Sequence, residues 1–238
     1  MATRKKFSKQ EERLTAYHEA GHVVAFYLFG KKIKSVTIIP DYERGAYGYT
    51  QTTGGKFFPL QRFSEAPSVL EARLDFERMI IISFAGYVAE IKSRYKGDTE
   101  ISQINLLSRG IAVKLRSNED PTGDGDFEHV RILFSAFNTY RLFSFHLNHP
   151  QQRNEDEFYF RWLWVRAINI ITEEVAWQAV ESLAAALLEH KKLTGRQIHK
   201  ILESSKLNQY PAQFHSTLPL SEGAESKEAK KRGQSSKA

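Results

Sequence analysis

The chain contains no cysteine among its 238 residues. It therefore has no disulfide framework, no thiol nucleophile and no thiolate ligand, and a metal could be held only by nitrogen and oxygen donors. It also lacks any run of about 18 consecutive uncharged apolar residues, the length that a membrane-spanning helix needs. Residues 1–14 lack the apolar stretch of a secretory signal peptide. We therefore expect a cytoplasmic protein without membrane insertion.

Clustered positive charge is missing from the central part of the chain. The net charge is +6, but residues 1–10 carry four cations and no acid, and residues 221–238 carry five cations and three acids. These two tails account for the whole net charge, so residues 11–220 are electrically balanced. Because non-specific nucleic-acid binding depends on clustered cations, we expect no nucleic-acid partner.

Apolar residues are plentiful enough to form a core. Hydrophobic residues make up 41% of the chain and aromatic residues 12%, which is typical of a globular protein. A chain of 238 residues is long enough for one well-packed domain and short for two. We predict a basic lead-in at residues 1–10, a folded domain at residues 11–208 and a polar, disordered tail at residues 209–238.

Hydrophobic periodicity predicts a mainly α-helical domain with one small β-hairpin. The first helix is indicated by apolar residues at helical spacing from Leu14 to Leu28, and Gly30 supplies its stop. A β-branched run, a Pro–Asp turn region and an aromatic–glycine return strand predict the hairpin within residues 34–52, the only clear strand signal. Glycine and proline predict a loop at residues 54–68. Further helices are predicted at about residues 68–94, 101–117, 126–147, 157–191 and 194–205.

The first predicted helix carries the sequence His-Glu-Ala-Gly-His at residues 18–22. Residues four apart in a helix share a face, so His18 and His22 would present two imidazoles to one point. Neutral imidazole is a good zinc ligand. Glu19, one step around the helix, could lie beside such a metal and activate a water molecule. The alternative is that the motif is a chance match in a buried helix. A third metal ligand elsewhere in the chain would favour the metal site over this alternative.

The third ligand is not determined by this motif. A metzincin would need another histidine shortly after His22, and none occurs at that spacing. If the third ligand is a glutamate on a later helix, the candidates are Glu90 and Glu100. If it is an aspartate at the start of a helix, the candidates are Asp124 and Asp126. Asp126 precedes an apolar-periodic stretch, where a carboxylate could equally be an N-cap.

Five segments, taken together, resemble the peptidase domain of the FtsH family, the membrane-bound AAA+ zinc proteases. They occur in family order within residues 12–205 and read TAYHEAGHVV, VTIIPDYERGAYGYT, FAGYVAE, TGDGDFEHVRIL and VESLAAALLEHKKLTGRQIHKIL. The resemblance implies an FtsH-like, mainly helical zinc peptidase domain with zinc on two histidines and one aspartate. By position, His18 and His22 match the histidine ligands and Glu19 matches the general base.

Two further residues are assigned by the resemblance alone. Asp126 falls on the aspartate of the family's Gly-Ala-x-x-Asp-Leu segment, which makes it the expected third ligand. Glu90 falls on the glutamate of the family's Gly-Arg-Ala-Ala-Glu segment and is expected to be structural or to orient a ligand histidine. A helix-length insertion before Asp126 weakens the register, so Asp124 remains its rival. Tyr87 replaces the arginine of that family segment, a change in packing more than in chemistry.

The sequence hypothesis is a stand-alone zinc metallopeptidase that hydrolyses peptide bonds in unfolded or flexible protein segments. No Gly-x-x-x-x-Gly-Lys-[Ser/Thr] sequence occurs in the chain, so we expect cleavage to be independent of ATP. The rival is a non-catalytic, protease-derived adaptor working with a separately encoded AAA+ ATPase. The absence of an ATPase sequence from the chain favours the adaptor, whereas the intact Glu19 favours an enzyme. Because the family assembles as hexamers, a homo-oligomer is a further expectation, with a monomer as its alternative.

Overall fold

The computed structural model describes residues 8–42, 46–53, 69–94 and 150–207, together with Asp126, Val130 and Leu133. The chain divides into one unit of residues Met1–Asn208 and a second of residues Gln209–Ala238, and every described residue belongs to the first. The sequence predictions for the lead-in before residue 8, the 54–68 loop, the 101–117 helix, Glu100, Asp124 and the 209–238 tail lie outside the described residues. The bounds of the folded domain therefore stay predictions.

The described residues form a mainly helical fold with one small antiparallel sheet, which confirms the predicted fold class. The helices are α1 (Lys9–Leu28), α2 (Val69–Arg94), α3 (Pro150–Thr172), α4 (Glu174–His190) and α5 (Gly195–Ser204), and the strands are β1 (Ile33–Thr37), β2 (Tyr49–Thr52) and β3 (Lys192–Thr194). Asp126, Val130 and Leu133 are also helical. None of the described helices combines the length and apolarity that crossing a membrane requires.

Helix α1 is the central helix and begins at a reciprocal cap. Ser8 Oγ accepts a hydrogen bond of 3.1 Å from the Glu11 amide, and the Glu11 carboxylate accepts one of 2.8 Å from the Ser8 amide, which satisfies two amides that a helix start leaves unpaired. After α1 ends, Gly30 adopts a positive φ of 69°, a conformation that glycine reaches without strain. The second half of α1 is almost entirely buried between α2 and α4.

The packing of α1 against α2 is close because of a small residue in the histidine motif. A Cβ on Gly21 would collide with the carbonyl oxygen of Ala85 and lie 2.8 Å from the Ala89 Cβ. The two backbones therefore approach at a distance that only glycine allows. This contact brings α2 directly against the helical turn that carries the two histidines.

The sheet has the strand order β2-β1-β3, with both pairs antiparallel. The β1–β2 pair is the predicted hairpin, and Val36 of β1 lies opposite Thr50 of β2 and Leu193 of β3. The hairpin carried the only clear strand signal of the sequence, and the structure adds a third strand, β3, to it. β3 is three residues long, too short for alternation to be read from the sequence, and it exists because β1 offers it a partner.

The prediction of one continuous helix at residues 157–191 was wrong. The structure has two helices there, and α3 already begins at Pro150, since proline fits the first turn of a helix. The break falls at Glu173, whose backbone is extended and whose carboxylate accepts a hydrogen bond of 2.9 Å from the Val175 amide. Neither glycine nor proline marks this break, so the apolar period alone could not reveal it.

Candidate metal centre

Three side chains from two distant parts of the sequence converge in the described structure. The Nε2 atoms of His18 and His22 lie 3.0 Å apart, and Asp126 Oδ2 lies 2.9 Å from the first and 2.7 Å from the second. The two histidines come from one turn of α1 and are only 7% and 6% exposed. Among the described residues this is the group of histidine and acidic side chains that could hold a metal ion.

The second ring nitrogen of each histidine faces a hydrogen-bond acceptor. His22 Nδ1 lies 2.8 Å from the carbonyl oxygen of Ile82, and His18 Nδ1 lies 3.2 Å from Glu90 Oε2. A carbonyl or ionised carboxylate oxygen only accepts, so with a cation at the centre each neutral imidazole would carry its proton on Nδ1 and turn the Nε2 lone pair to the cation. This arrangement is typical of histidines that bind metals.

The donor atoms fit a cation. Lone pairs on two nitrogens and one carboxylate oxygen, all within 3.0 Å of one another, repel each other unless a proton or a metal ion lies between them. Zinc takes such ligands at about 2.0–2.1 Å, which places tetrahedral ligand atoms roughly 3.3 Å apart. The cluster would have to widen by only about half an ångström to meet that geometry.

The carboxylate of Asp126 also changes the titration of its neighbour. Burial lowers the pKa of His22, but the adjacent negative charge of Asp126 and its hydrogen bond outweigh burial, and the pKa is raised above its usual value. The raised pKa expresses the same fact as the lone-pair geometry: the centre attracts positive charge.

Glu90 contacts the outer side of the cluster. Its Oε2 meets Nδ1 of His18 and its Oε1 pairs with Arg94, one turn further along α2. Burial raises the pKa of Glu90, but the contacts with His18 and Arg94 outweigh burial and lower it. Glu90 is thus held ionised against the ring nitrogen that faces away from the centre, and it does not join the converging group.

Glu19 lies next to the histidines and is held from the other side by the hairpin. Its Oε2 accepts a hydrogen bond of 2.6 Å from the Thr50 hydroxyl of β2, and the residue is 6% exposed. Burial raises the pKa of Glu19, and the opposing effects of His22, His18 and the Thr50 hydrogen bond offset only part of that rise. A carboxyl group with a raised pKa is suited to accept a proton and release it again.

Gly86 of α2 provides the space for the histidine pair. A Cβ at this position would lie 2.6 Å from His22 Nε2 and 2.9 Å from His18 Nε2. Next to it, Tyr87 packs edge-on against the His18 ring, with centroids 5.0 Å apart and an interplanar angle of 82°. The sequence patterns did not predict roles for Gly86 and Thr50. The available signal for Gly86 was an isolated glycine inside a helix, which usually has a packing or functional reason.

A buried centre of two histidines and one carboxylate, with a further glutamate beside it, defines a candidate metal-dependent hydrolase. The relatives found by comparison with known proteins are named as zinc metalloproteases. The chain is 26% identical to the ATP-dependent zinc metalloprotease FtsH of Rickettsia conorii over 233 residues, which covers 90% of this chain and 33% of that protein. It is 25% identical over 211 residues to the FtsH of Caldicellulosiruptor bescii, covering 82% of this chain and 31% of that protein.

A mitochondrial protein is similar over a shorter stretch. The inner membrane m-AAA protease component YTA10 of Saccharomyces cerevisiae is 28% identical over 133 residues, which covers 51% of this chain and 16% of that protein. No protein-family model matches the chain. The similarity to the FtsH proteins is weak but extends over most of the chain, and it supports an FtsH-related family. The chain spans about a third of the length of these FtsH relatives.

Proposed function

We propose that this chain is a zinc-dependent metallopeptidase that hydrolyses peptide bonds in unfolded or flexible protein segments without ATP. The observation that carries the proposal is the convergence of His18, His22 and Asp126 within 3.0 Å, next to the buried carboxyl group of Glu19. The similarity to proteins named zinc metalloproteases supports zinc as the metal and polypeptide as the substrate.

In the proposed mechanism His18, His22 and Asp126 hold zinc, and Glu90 orients His18. The chemistry that zinc supplies when bound is Lewis acidity towards a water molecule and the substrate carbonyl oxygen. Glu19 takes a proton from the attacking water and passes it to the departing amine nitrogen. The Thr50 hydroxyl occupies Oε2 of Glu19, so Oε1 is the atom that we assign to proton transfer.

An extended substrate would pair with β2. This strand lies at the edge of the sheet that the described residues form, and its outer backbone groups can add a strand with little demand on side-chain sequence. Thr50 of the same strand contacts Glu19, so a chain paired with β2 would pass close to the proposed base. Because the 238 residues contain no ATP-binding loop, we expect tightly folded proteins to resist cleavage.

The proposal is tested by incubating the zinc-loaded protein with casein, a flexible substrate, in the absence of ATP. We expect cleavage that stops when a chelator removes the metal and returns when zinc is added back. A tightly folded protein, incubated in parallel, should stay intact. Casein that binds to the zinc-loaded protein but is never cut would overturn the proposal and support a non-catalytic adaptor.

Asp126 and Asp124 form a matched pair for testing the third ligand. The Asp126→Asn protein should bind zinc more weakly, because an amide oxygen carries no charge. Loss of a residue that only supports a metal ligand lowers metal affinity by about 10- to 100-fold, so loss of a ligand should cost at least as much. The Asp124→Asn protein should bind zinc as the parent does. Zinc content after dialysis measures both, and the reverse pattern would assign the ligand to Asp124.

A further inference from the structure

We propose that Thr50 and Gly48 position the carboxylate of Glu19, an inference that rests on the proposed function. The catalytic glutamate then depends on two parts of the chain: α1 carries its backbone, and β2, together with Gly48 directly before it, holds its carboxylate. Thr50 and Gly48 are positioning residues, because they act through Glu19 and not on the substrate.

The contact of Thr50 with Glu19 is short and is made by a side chain with little freedom. The hydroxyl donates to Glu19 Oε2 over 2.6 Å, a distance typical of a hydrogen bond to a carboxylate. Threonine is branched at Cβ and stiff about χ1. The backbone of Thr50 lies opposite Val36 of β1, and Val36 is fully buried. The donor is thus fixed by the sheet rather than by a loop.

Gly48 provides the second contact that positions the Glu19 carboxylate. It lies two residues before Thr50 and directly precedes β2. A Cβ at Gly48 would lie 2.5 Å from Glu19 Oε1 and 2.7 Å from Glu19 Cγ. The backbone at Gly48 is therefore the surface against which Oε1 rests, and any side chain there would displace the carboxylate.

This arrangement links substrate binding to proton transfer. Glutamate has three rotatable side-chain bonds, so helix α1 by itself leaves its carboxylate several orientations. The Thr50 hydroxyl and the Gly48 backbone select one of them, with Oε2 engaged and Oε1 against Gly48. Because Thr50 belongs to the strand proposed to pair with substrate and Gly48 directly precedes that strand, the base and the scissile bond would be positioned by the same part of the chain.

The test compares Thr50→Val, which has nearly the same shape but no hydroxyl, with Thr50→Ser, which keeps the hydroxyl. Kinetics are measured on a quenched fluorescent peptide taken from a cleaved casein site. We expect Thr50→Val to lower kcat by about 10- to 100-fold, the loss expected for a misplaced catalytic group, with KM and zinc content unchanged. Thr50→Ser should recover most of that loss. A kcat of Thr50→Val within about twofold of the parent value would be far smaller than the loss expected for a misplaced catalytic group, and it would overturn the inference.

A second measurement separates this inference from the proposed function. Crystal structures of the parent and Thr50→Val proteins report the Glu19 carboxylate directly, whether or not the parent cleaves peptides. We expect the carboxylate to leave its parent position in Thr50→Val, and also in Gly48→Ala. An unmoved carboxylate in both variants would overturn the inference. Failure of the parent to cleave any flexible substrate would overturn the proposed function, and the two crystal structures would still decide the positioning role.

Discussion

Glu19→Gln is expected to abolish cleavage of casein while leaving zinc bound. Glutamine has nearly the shape of glutamate and can still accept the hydrogen bond from Thr50, but it cannot take a proton from water. General acid–base catalysis contributes about 10²- to 10⁴-fold, so the cleavage rate should fall by that range. The rate of casein cleavage and the zinc content of the same preparation are the two measurements.

Glu12→Gln is the matched control for this substitution. Glu12 also lies on α1, but its carboxylate pairs with Lys191 at 2.9 Å, away from the histidine motif. We expect this variant to retain parental activity. Parental activity in Glu19→Gln would remove Glu19 from the proposed mechanism. Loss of zinc from Glu19→Gln would instead show that the glutamate supports the metal site.

Gly86→Ala is expected to remove zinc from the protein. The added methyl group would lie 2.6 Å from His22 Nε2 and 2.9 Å from His18 Nε2, so both proposed ligand atoms would have to move. Changes to residues that support metal ligands lower metal affinity by up to about 100-fold. Because Gly86→Ala would move both proposed ligand atoms, we expect a loss of at least that size. Alanine in place of glycine inside a helix otherwise stabilises a protein by about 0.5–1 kcal/mol. A loss of zinc in this variant would therefore come from the crowded histidines and not from a weaker helix.

Ser83→Ala is the control for Gly86→Ala. Ser83 lies one turn earlier on α2 and is 1% exposed, and its hydroxyl has no hydrogen-bond partner among the described residues. Removing an unpaired buried hydroxyl should leave stability equal or slightly higher, with zinc binding unchanged. Zinc titration and thermal unfolding of both variants provide the comparison. A Gly86→Ala protein with parental zinc affinity would contradict the packing argument.

Local sequence was sufficient wherever an element depends on its own residues. Helix α1 has a capping residue, an apolar period and a terminal glycine within about 20 residues, and the hairpin has its turn between its two strands; the structure contains both. β3 and the break at Glu173 were missed for the opposite reason. β3 forms because β1 lies beside it, and Glu173 ends one helix and caps the next without glycine or proline.

The sequence by itself determined the pair of histidines. Four residues make about one helical turn, so any helix through residues 18–22 sets His18 and His22 on one face, with Glu19 beside them. The resemblance to the FtsH family pointed to Asp126, but residue spacing left Asp124, Glu90 and Glu100 open. A ligand more than 100 residues away cannot be chosen by local periodicity, since its position depends on how the helices pack.

Only the tertiary structure decided the rest of the centre. It brought Asp126 Oδ2 within 2.9 Å of both histidines and turned Glu90 to the outer nitrogen of His18. It also showed that Gly86 leaves the space for the rings and that Thr50 holds Glu19. The physical reason is common to all four residues: each acts across an interface between elements, where close packing and hydrogen bonds, rather than helix or strand periodicity, determine which atoms meet.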